Sequence, residues 1–335
     1  MRVRSLFGAL ALGTLILAGC SSGSKVEGSS TGDTTSAGTK KLRIAVIPKG
    51  QTHDFWKSIH AGAKKAEAEL GNVEIIWKGP VVENDREQQI KVVEDFTNQK
   101  VDGIVLAPLD DKALAAPVNE ATKAGIPVII IDSGISGAET VSFIATDNYE
   151  AGKKGGMKMV ELLGPGPKKV ILLRYQEGSA STTEREQGYL DALATAKNIT
   201  VISSDQYAGP TRESATKASE NLMARFKGQF DGVLCPNESS TAGMLIVLQG
   251  ASLAGKVPFI GFDSSPDLVE GLKNGLIQGL VVQNPVRMGY EGVKSMAAHI
   301  KKETVQKKID TGAELVTKEN MADANIAELI NPVKD

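Results

Sequence analysis

The sequence predicts an α/β protein with two similar doubly wound parallel-sheet domains, and three observations lead to this fold class. Short apolar runs alternate with longer segments in which apolar residues recur at helical spacing. The chain has 335 residues, about twice the length of a typical domain. Sequence blocks of the first half also recur in the second half. Apolar strands that alternate with helices are typical of parallel sheets covered by helices on both faces.

The predicted elements follow one another from residue 42 onward. Helical periodicity is clearest at 55–70, 86–99 and 148–163. Strands are predicted at 42–47, 73–77, 103–107, 127–131, 141–145, 169–173, 199–203, 231–235, 257–262 and 279–282. The last predicted strand therefore ends at residue 282.

Two blocks of sequence occur once in each half of the chain. DGIVLAP at 102–108 is echoed by DGVLCP at 231–236, and IPVIIIDSG at 126–134 is echoed by VPFIGFDSS at 257–265. Short aliphatic strands can resemble each other by chance, but here the order and spacing of the blocks also agree. The repeat therefore favours two similar domains over a solenoid.

Composition excludes several classes of protein. Lys plus Arg number 38 and Asp plus Glu number 40, a balance that provides no basic field for nucleic acid. Two cysteines are too few for a disulfide scaffold, and Cys235 is expected to be a small buried thiol. The three histidines, His53, His60 and His299, have no clustered spacing. We therefore predict neither a metal site nor a cofactor.

The first residues have the pattern of a secretory signal. Arg2 and Arg4 precede an apolar run from Leu6 to Ala18 that is too short to span a membrane. The run ends in LAGC at 17–20, which resembles the bacterial lipobox and implies a signal peptide at 1–19 and a lipid on Cys20. An ordinary signal peptide with a chance cysteine is the alternative.

Residues 20–41 are rich in Ser, Thr and Gly. This composition cannot bury a core and predicts a flexible tether. The sequence therefore predicts an extracytoplasmic protein anchored by lipid to a bacterial membrane, in the periplasm or cell envelope.

Polar and aromatic side chains follow the predicted strands, where open parallel sheets bind their ligands. Two facing domains would bring these side chains into one cleft. The candidates are His53, Phe55, Trp56, Asp132, Ser133, Arg185, Asn237, Asp263 and Gln283. Carboxylates accept hydroxyl protons, guanidinium and amide groups donate to hydroxyl oxygens, and aromatic rings cover apolar sugar faces. The set predicts a site for a polyhydroxylated ligand.

Several of these positions also have structural interpretations. Asp54 is expected to cap the helix at 55–70 rather than to contact a ligand. Asp132 and Asp263 could brace loops, and Arg185 could pair with a neighbouring glutamate on the surface. His53 beside Asp54 invites a catalytic interpretation, but no serine or cysteine nucleophile motif accompanies the pair.

The two tryptophans are expected to differ in exposure. Phe55 lies on the apolar stripe of its helix, whereas Trp56 falls off that stripe, which predicts an exposed position in the cleft. Trp77 lies within a predicted strand, where burial should shield it. We therefore expect Trp56 to report ligand binding by fluorescence.

A series of motifs in constant order resembles the type I sugar-binding proteins of bacterial ABC transporters, especially the ribose-binding-like branch. The resemblance extends from about Leu42 to about Val316. The motifs are HDFWKSIHAGA at 53–63, DGIVLAP, IPVIIIDSG, IATDN at 144–148, TEREQGY at 183–189, CPNE at 235–238, FIGFD at 259–263 and VVQNP at 281–285. The resemblance implies that Phe55 and Trp56 stack on a sugar and that the polar candidates bind its hydroxyls.

The resemblance also implies two lobes and a hinge. The chain would cross between lobes near residues 146, 284 and 312. The N-terminal lobe would comprise 42–146 and 284–312, and the C-terminal lobe 147–283 and 313–335. Closure of the lobes on the ligand would then be the mechanism, without any bond being made or broken.

Three positions depart from the ribose-binding pattern. His53 stands where ribose binders have asparagine, and Ser133 stands where they have arginine. An aromatic residue expected just before Arg212 is replaced by Pro210 or Thr211, and Tyr207 is a nearby candidate to substitute for it. These departures leave a pentose, a hexose or a polyol as the ligand, and a single arginine against two aspartates disfavours an anionic one.

The sequence therefore predicts a monomeric solute-binding lipoprotein that delivers a small neutral sugar to an ABC transporter permease. A secreted sugar-modifying enzyme is the first alternative, although no catalytic motif supports it. The same fold could also bind a nucleoside or a signalling furanose. A sugar-responsive repressor is excluded, because the segment before the first strand is a signal and a tether instead of a helix-turn-helix.

Overall fold

Residues 41–227 and 229–332 are described by a computed structural model. The predicted signal peptide, Cys20 and nearly all of the predicted tether lie outside the described residues. No helix among the described residues is long and apolar enough to cross a membrane.

Every predicted strand is present, with end points that differ by at most a few residues. The strands are β1 Leu42–Ile47, β2 Val73–Trp77, β3 Gly103–Leu106, β4 Val128–Ile131, β5 Phe143–Ala145, β6 Lys168–Leu172, β7 Ile199–Ser203, β8 Gly232–Leu234, β9 Phe259–Phe262, β10 Gly279–Gln283, β11 Lys308–Asp310 and β12 Ala313–Val316. The sequence did not predict β11 and β12, because they are short and carry charged residues.

The helices lie between the strands, as the periodicity indicated. They are α1 Asp54–Leu70, α2 Arg86–Asn98, α3 Ala115–Lys123, α4 Asn148–Leu163, α5 Ala180–Ala194, α6 Arg212–Phe226, α7 Glu238–Gly250, α8 Pro266–Lys273, α9 Pro285–Ile300 and α10 Ala324–Ile330. Asp54 is the first residue of α1 and His53 occupies its N-cap position. The expectation that Asp54 caps this helix is therefore wrong.

Two six-stranded sheets form the framework, and their strand orders correspond. The first sheet has the order β11-β5-β4-β3-β1-β2 and the second has β12-β10-β9-β8-β6-β7. Neighbouring strands are parallel except for the antiparallel pair β10–β12. Strands β3, β4 and β9 are buried at every residue, which requires helices on both faces. The predicted fold class and internal repeat are confirmed.

The chain passes from one sheet to the other after β5, after β10 and after β11. Helices α1, α2, α3 and α9 pack with the first sheet, and we call this unit the N-terminal lobe. Helices α4 to α8 and α10 pack with the second sheet and form the C-terminal lobe. The carboxyl ends of β1 and β6, where the strand order reverses, are the expected ligand positions in this topology.

Glycines make close helix crossings possible in each lobe. In the N-terminal lobe, a Cβ on Gly62 of α1 would overlap a backbone carbonyl of α9, and a Cβ on Gly289 of α9 would overlap one of α1. In the C-terminal lobe, Gly152 of α4 lies against the carbonyl of Arg185 in α5, and Gly188 lies against α4. Both crossings fix helices that carry predicted site residues.

Two predictions about buried side chains have different outcomes. Cys235 is completely buried after β8, as expected. Trp77 is only partly buried, because β2 is an edge strand, and its ring stacks on His60 with 4.4 Å between centroids. The expectation that its strand shields Trp77 is therefore wrong.

Candidate ligand-binding site

The carboxyl ends of both sheets face a single cavity of about 30 Å³. Eight predicted residues line it: His53, Phe55, Trp56, Asp132, Arg185, Asn237, Asp263 and Gln283. Six further lining residues were not among the candidates: Lys49, Glu83, Tyr175, Ser181, Thr182 and Glu238. Side chains that lie up to 234 residues apart in sequence, Lys49 and Gln283, therefore meet at one cavity between the lobes.

Asp132 and Asp263 occupy equivalent positions, directly after β4 and β9. Their φ angles of 63° and 68° lie in the left-handed region. The other described non-glycine residues with positive φ all follow helices, so these two aspartates stand apart. Such backbone strain is concentrated at functional sites, where surrounding contacts maintain it. The internal repeat thus places one aspartate with a strained backbone at the cavity in each lobe.

Asp263 also has the bracing role that the sequence left open. Its Oδ1 accepts a hydrogen bond from Gln283 Nε2 at 2.6 Å, and its Oδ2 accepts one from the backbone N–H of Glu238 at 3.0 Å. Burial raises the pKa of this carboxyl group above its ordinary value, although nearby Arg185 opposes the shift. Asp263 therefore joins β10 and the start of α7 at the cavity.

Arg185 is buried and points into the cavity instead of pairing on the surface. Its Nε donates to Asn148 Oδ1 at 2.8 Å and its Nη1 donates to the carbonyl of Pro236 at 3.0 Å. The guanidinium carbon lies 4.0 Å from the ring centroid of Phe262. The carboxylate of Glu186 instead accepts a hydrogen bond from Arg174 Nε at 2.6 Å. Arg185 therefore does not form the surface pair with this glutamate that the sequence left open.

His53, Trp56 and Glu83 form a hydrogen-bonded group in the N-terminal lobe. His53 Nδ1 and Trp56 Nε1 lie 2.5 and 2.7 Å from the same oxygen, Glu83 Oε1. Burial alone would lower the pKa of His53, but the adjacent Glu83 raises it to about 9. Burial alone would raise the pKa of Glu83, but His53 lowers it to about 2. The pair is therefore an imidazolium and a carboxylate at neutral pH.

The aromatic pair is more buried than the sequence predicted. Trp56 is 2% exposed and packs with Ile59 in the core of the N-terminal lobe, so the prediction of an exposed position is wrong. The rings of Phe55 and Trp56 meet edge to face, with centroids 5.0 Å apart. Both rings still line the cavity, because α1 begins at its rim.

Several contacts cross directly from one lobe to the other. Lys49 Nζ lies 2.8 Å from Asp132 Oδ2 in its own lobe and 3.1 Å from Ser181 Oγ in the other. Ser133 Oγ accepts a hydrogen bond from the backbone N–H of Ser181 at 3.1 Å, but Ser133 does not line the cavity. Ser133 thus contacts the opposite lobe beside the cavity but does not line it.

Glu238 makes a second set of contacts between the lobes. Its carboxylate accepts hydrogen bonds from the backbone N–H groups of Asp54 and Phe55 at 3.3 and 3.1 Å. These N–H groups lie in the first turn of α1, where the side chain of the N-cap residue His53 makes no capping hydrogen bond. A carboxylate at a helix N-terminus is also favoured by the helix dipole.

The second lobe contributes an aromatic residue other than the one the sequence suggested. Tyr207 is 37% exposed, packs under the guanidinium of Arg174 and does not line the cavity. Tyr175, three residues after β6, lines the cavity, and its hydroxyl donates to Glu83 Oε2 at 2.6 Å. Tyr175, and not Tyr207, therefore supplies this lobe's ring at the site.

Three buried polar atoms at the cavity have no hydrogen-bond partner: His53 Nε2, Arg185 Nη2 and Gln283 Oε1. Their side chains come from both sides of the cleft and present two donors and one acceptor. Buried polar atoms without partners are costly, so their convergence indicates a polar ligand. No cluster of described residues has the composition of a metal site.

The cavity is too small for a ring-shaped ligand in the described conformation. About 30 Å³ is room for only one or two water-sized molecules, whereas a cavity of about 150 Å³ holds benzene. The lobes are therefore closed on each other, and a ligand of that size would enter through the open cleft and hold the lobes slightly further apart than in this conformation.

Comparison with known proteins agrees with this architecture. Residues 44–304 match the profile of the periplasmic binding protein domain. The chain belongs to this family. The D-allose-binding periplasmic protein of Escherichia coli K12 is 29% identical over 75% of this chain and 82% of its own length. The ribose import binding protein of Salmonella typhimurium is 30% identical over 83% and 92%, respectively.

Solved structures of the family have the same fold. A carbohydrate transporter solute-binding protein from Agrobacterium radiobacter, in complex with D-arabinose, is 35% identical and superposes with a TM-score of 0.83 over 87% of this chain and 99% of its own. An ABC transporter solute-binding protein from Agrobacterium vitis with bound D-fucose is 33% identical, with a TM-score of 0.83 over 86% and 99%. The predicted type I periplasmic-binding-protein fold is confirmed.

Proposed function

We propose that this chain is an extracytoplasmic solute-binding protein that captures a small neutral sugar or polyol between its lobes and delivers it to an ABC transporter permease. The observation that carries the proposal is the convergence of three unpartnered, buried polar atoms from both lobes on one cavity. Family members with names or bound ligands of this kind, from D-allose to D-arabinose, support the same class of ligand.

In this proposal the two lobes hold different parts of the ligand. Arg185 Nη2 and His53 Nε2 would donate to hydroxyl oxygens, while Gln283 Oε1 and the two strained aspartates would accept hydroxyl protons. Phe55 and Trp56 would cover the apolar face of the ring. Because these groups come from both lobes, the complete set exists only when the cleft is closed. Ligand binding would therefore stabilise closure, which the permease then recognises.

The charges at the cavity favour a neutral ligand. Lys49 is paired with Asp132 and His53 is paired with Glu83, so two of the three cations already have a carboxylate partner. Arg185 faces Asp263, whose charge it stabilises. An anionic ligand would have to compete with these carboxylates in a buried site, which is unfavourable.

A thermal-shift screen with pentoses, hexoses and polyols tests the proposed function. A ligand at 100 times its dissociation constant should stabilise the protein by about 2.7 kcal/mol, enough to raise the unfolding temperature measurably. The panel should include D-arabinose, D-fucose, D-allose, ribose and xylitol, with a nucleoside and a sugar phosphate as probes of the other classes. Stabilisation by the nucleoside or the phosphate alone would contradict a neutral-sugar site.

Ligand affinity is expected to fall as pH rises from about 5 to about 7. Burial raises the pKa of Glu238 from 4.5 to about 7 in the closed conformation. Opening exposes this carboxyl group to water and returns its pKa towards the ordinary value, so the closed form binds more protons and closure is favoured at low pH. Calorimetry in buffers of different ionisation enthalpy should detect proton uptake on binding. Proton release, or affinity that increases with pH, would contradict this assignment.

The fluorescence emission of Trp56 is expected to change when the cleft closes, even though Trp56 is buried and not exposed as the sequence predicted. Its indole is shielded and hydrogen-bonded to Glu83 when the cleft is closed, whereas Trp77 stacks on His60 outside the cavity. Trp56→Phe should abolish the ligand-induced change in emission and weaken binding modestly, and Trp56→Ala should cost about 1–3 kcal/mol of binding free energy. Trp77→Phe is the control and should retain the change. A full spectral response from Trp56→Phe would remove Trp56 from the moving cleft.

We also propose that Cys20 carries a lipid that anchors the protein. The lipobox-like LAGC and the Ser/Thr/Gly-rich segment behind it support this proposal. Cys20→Ser should release the protein from the membrane fraction of expressing cells into the soluble fraction, as judged by immunoblotting. Unchanged membrane association of this variant would show that the anchor lies elsewhere.

A further inference from the structure

One carboxylate at the cavity receives hydrogen bonds from both lobes. Glu83 lies in the loop between β2 and α2 and is buried. Its Oε1 is shared by His53 Nδ1 and Trp56 Nε1, and its Oε2 accepts from the hydroxyl of Tyr175 at 2.6 Å. Its backbone carbonyl accepts from Gln176 Nε2 at 2.7 Å. Glu83 lies in a turn of this loop, and its hydrogen bonds connect the turn to both lobes.

The donors to Glu83 differ in which lobe they belong to. His53 and Trp56 belong to the N-terminal lobe, as Glu83 does, so their contacts with Glu83 do not cross the cleft. Tyr175 and Gln176 belong to the C-terminal lobe, so their hydrogen bonds exist only when the cleft is closed. A buried carboxylate gains most from such bonds, because it has no competing water.

We propose that Glu83 is a positioning residue that couples closure of the lobes to the ligand site. Its Oε1 orients His53 and Trp56 towards the cavity. Its Oε2 accepts the hydrogen bond from the Tyr175 hydroxyl when the lobes close. This inference rests on the proposed function, because it assumes that a ligand binds as the cleft closes.

The chemistry of the group requires a carboxylate at this position. His53 Nδ1–H and the Trp56 indole N–H are both donors, so the atom between them has to be an acceptor. With Nδ1–H directed at Glu83, the Nε2–H of the imidazolium is directed at the cavity and is free to donate. Glu238 of α7 and Asp263 after β9 also face His53 from the opposite lobe. Glu83 therefore sets both the orientation and the protonation state of a proposed ligand donor.

Tyr175→Phe tests the contact between the lobes, and the chain offers a matched control. Tyr290 donates to Glu69 Oε2, also at 2.6 Å, but both residues lie in the N-terminal lobe on its surface. Tyr175→Phe keeps the ring at the cavity and should weaken sugar affinity roughly 10- to 100-fold, as expected for a hydrogen bond to a charged group. Tyr290→Phe should bind like the wild type.

Glu83→Gln tests the positioning role through a readout that a purely structural residue would not affect. Without the carboxylate, His53 loses its nearest counter-charge, so it should lose its second proton, and with it the Nε2–H donor, at lower pH. Affinity should therefore decline at a lower pH than in the wild type. The emission of ligand-bound Trp56 should also change, because its indole N–H would then donate to a neutral amide oxygen instead of a carboxylate. Glu69→Gln is the control and should alter neither the pH profile nor the emission.

The outcomes separate this inference from the proposed function. A wild type that binds none of the sugars contradicts the proposed function and, with it, this inference. A wild type that binds a sugar, together with Tyr175→Phe and Glu83→Gln variants that match it in affinity, pH profile and emission, contradicts the inference alone. Weakened binding by both variants, with their controls unchanged, supports it.

Discussion

Replacing Arg185 with alanine is expected to weaken ligand binding by about 2–4 kcal/mol, roughly 30- to 1000-fold. The guanidinium is 2% exposed, and its Nη2 is the one part of it without a partner in the cavity. Its removal would take away a charge-assisted donor and leave Asp263 without the positive charge that opposes its raised pKa. Asp263→Ala should have an effect of similar size, because its carboxylate also orients Gln283.

The loss of binding free energy can be measured by calorimetric titration of both variants. The ligand should be the sugar that stabilises the wild type most. Arg212→Ala is a suitable control, because Arg212 pairs with Asp267 on the surface of the same lobe. The control should bind like the wild type. Near-native affinity in a folded Arg185→Ala variant would remove Arg185 from the ligand site.

Gly152→Ala is expected to destabilise the protein and to disturb the position of Arg185. A Cβ on Gly152 would overlap the backbone carbonyl of Arg185, so α4 and α5 would have to separate. Overpacking of this kind costs about 1–3 kcal/mol, although alanine in a helix contributes up to about 1 kcal/mol in the opposite direction. Urea unfolding should therefore show a net loss of stability, and sugar affinity should fall with it.

Gly250→Ala provides the matched control for this substitution. Gly250 is also helical, at the end of α7, but no atom outside its own neighbourhood lies within 4 Å of the Cβ position. This variant should be as stable as the wild type or slightly more stable. A Gly152→Ala variant that unfolds at the same urea concentration as Gly250→Ala would show that the crossing tolerates a methyl group.

The sequence predicted the central strands well because their signal is local. A run such as VIII in β4 is buried on both faces, and its composition alone identifies it. Strands β11 and β12 span only three and four residues and include Lys308, Asp310 and Glu314. Their pairing depends on the sheet edges they join, which no local pattern encodes.

The strand-end rule predicted part of the site. Asp132 and Asp263 come directly after β4 and β9, and the strand-end rule identifies them. Lys49, two residues after β1, satisfies the same rule and could have been found with it. Glu83 lies in a loop without a periodic signal, so only the folded structure brings it to the cavity.

The burial of Trp56 illustrates a second limit of sequence patterns. Helical periodicity places Trp56 off the apolar stripe of α1, which describes only the face that packs on its own sheet. Its cover comes from the Glu83 loop, and its indole N–H finds the carboxylate there. A contact between distant segments thus reverses the exposure that the periodicity predicted.

The central claim is that this chain binds a neutral sugar without altering it. Calorimetric titration of the wild type with the best sugar from the thermal screen, followed by chromatographic recovery of the ligand, tests it most directly. We expect one saturable site per chain and quantitative recovery of the unchanged sugar. A sugar that is converted to product, or a panel in which no sugar gives a saturable heat, would contradict the account.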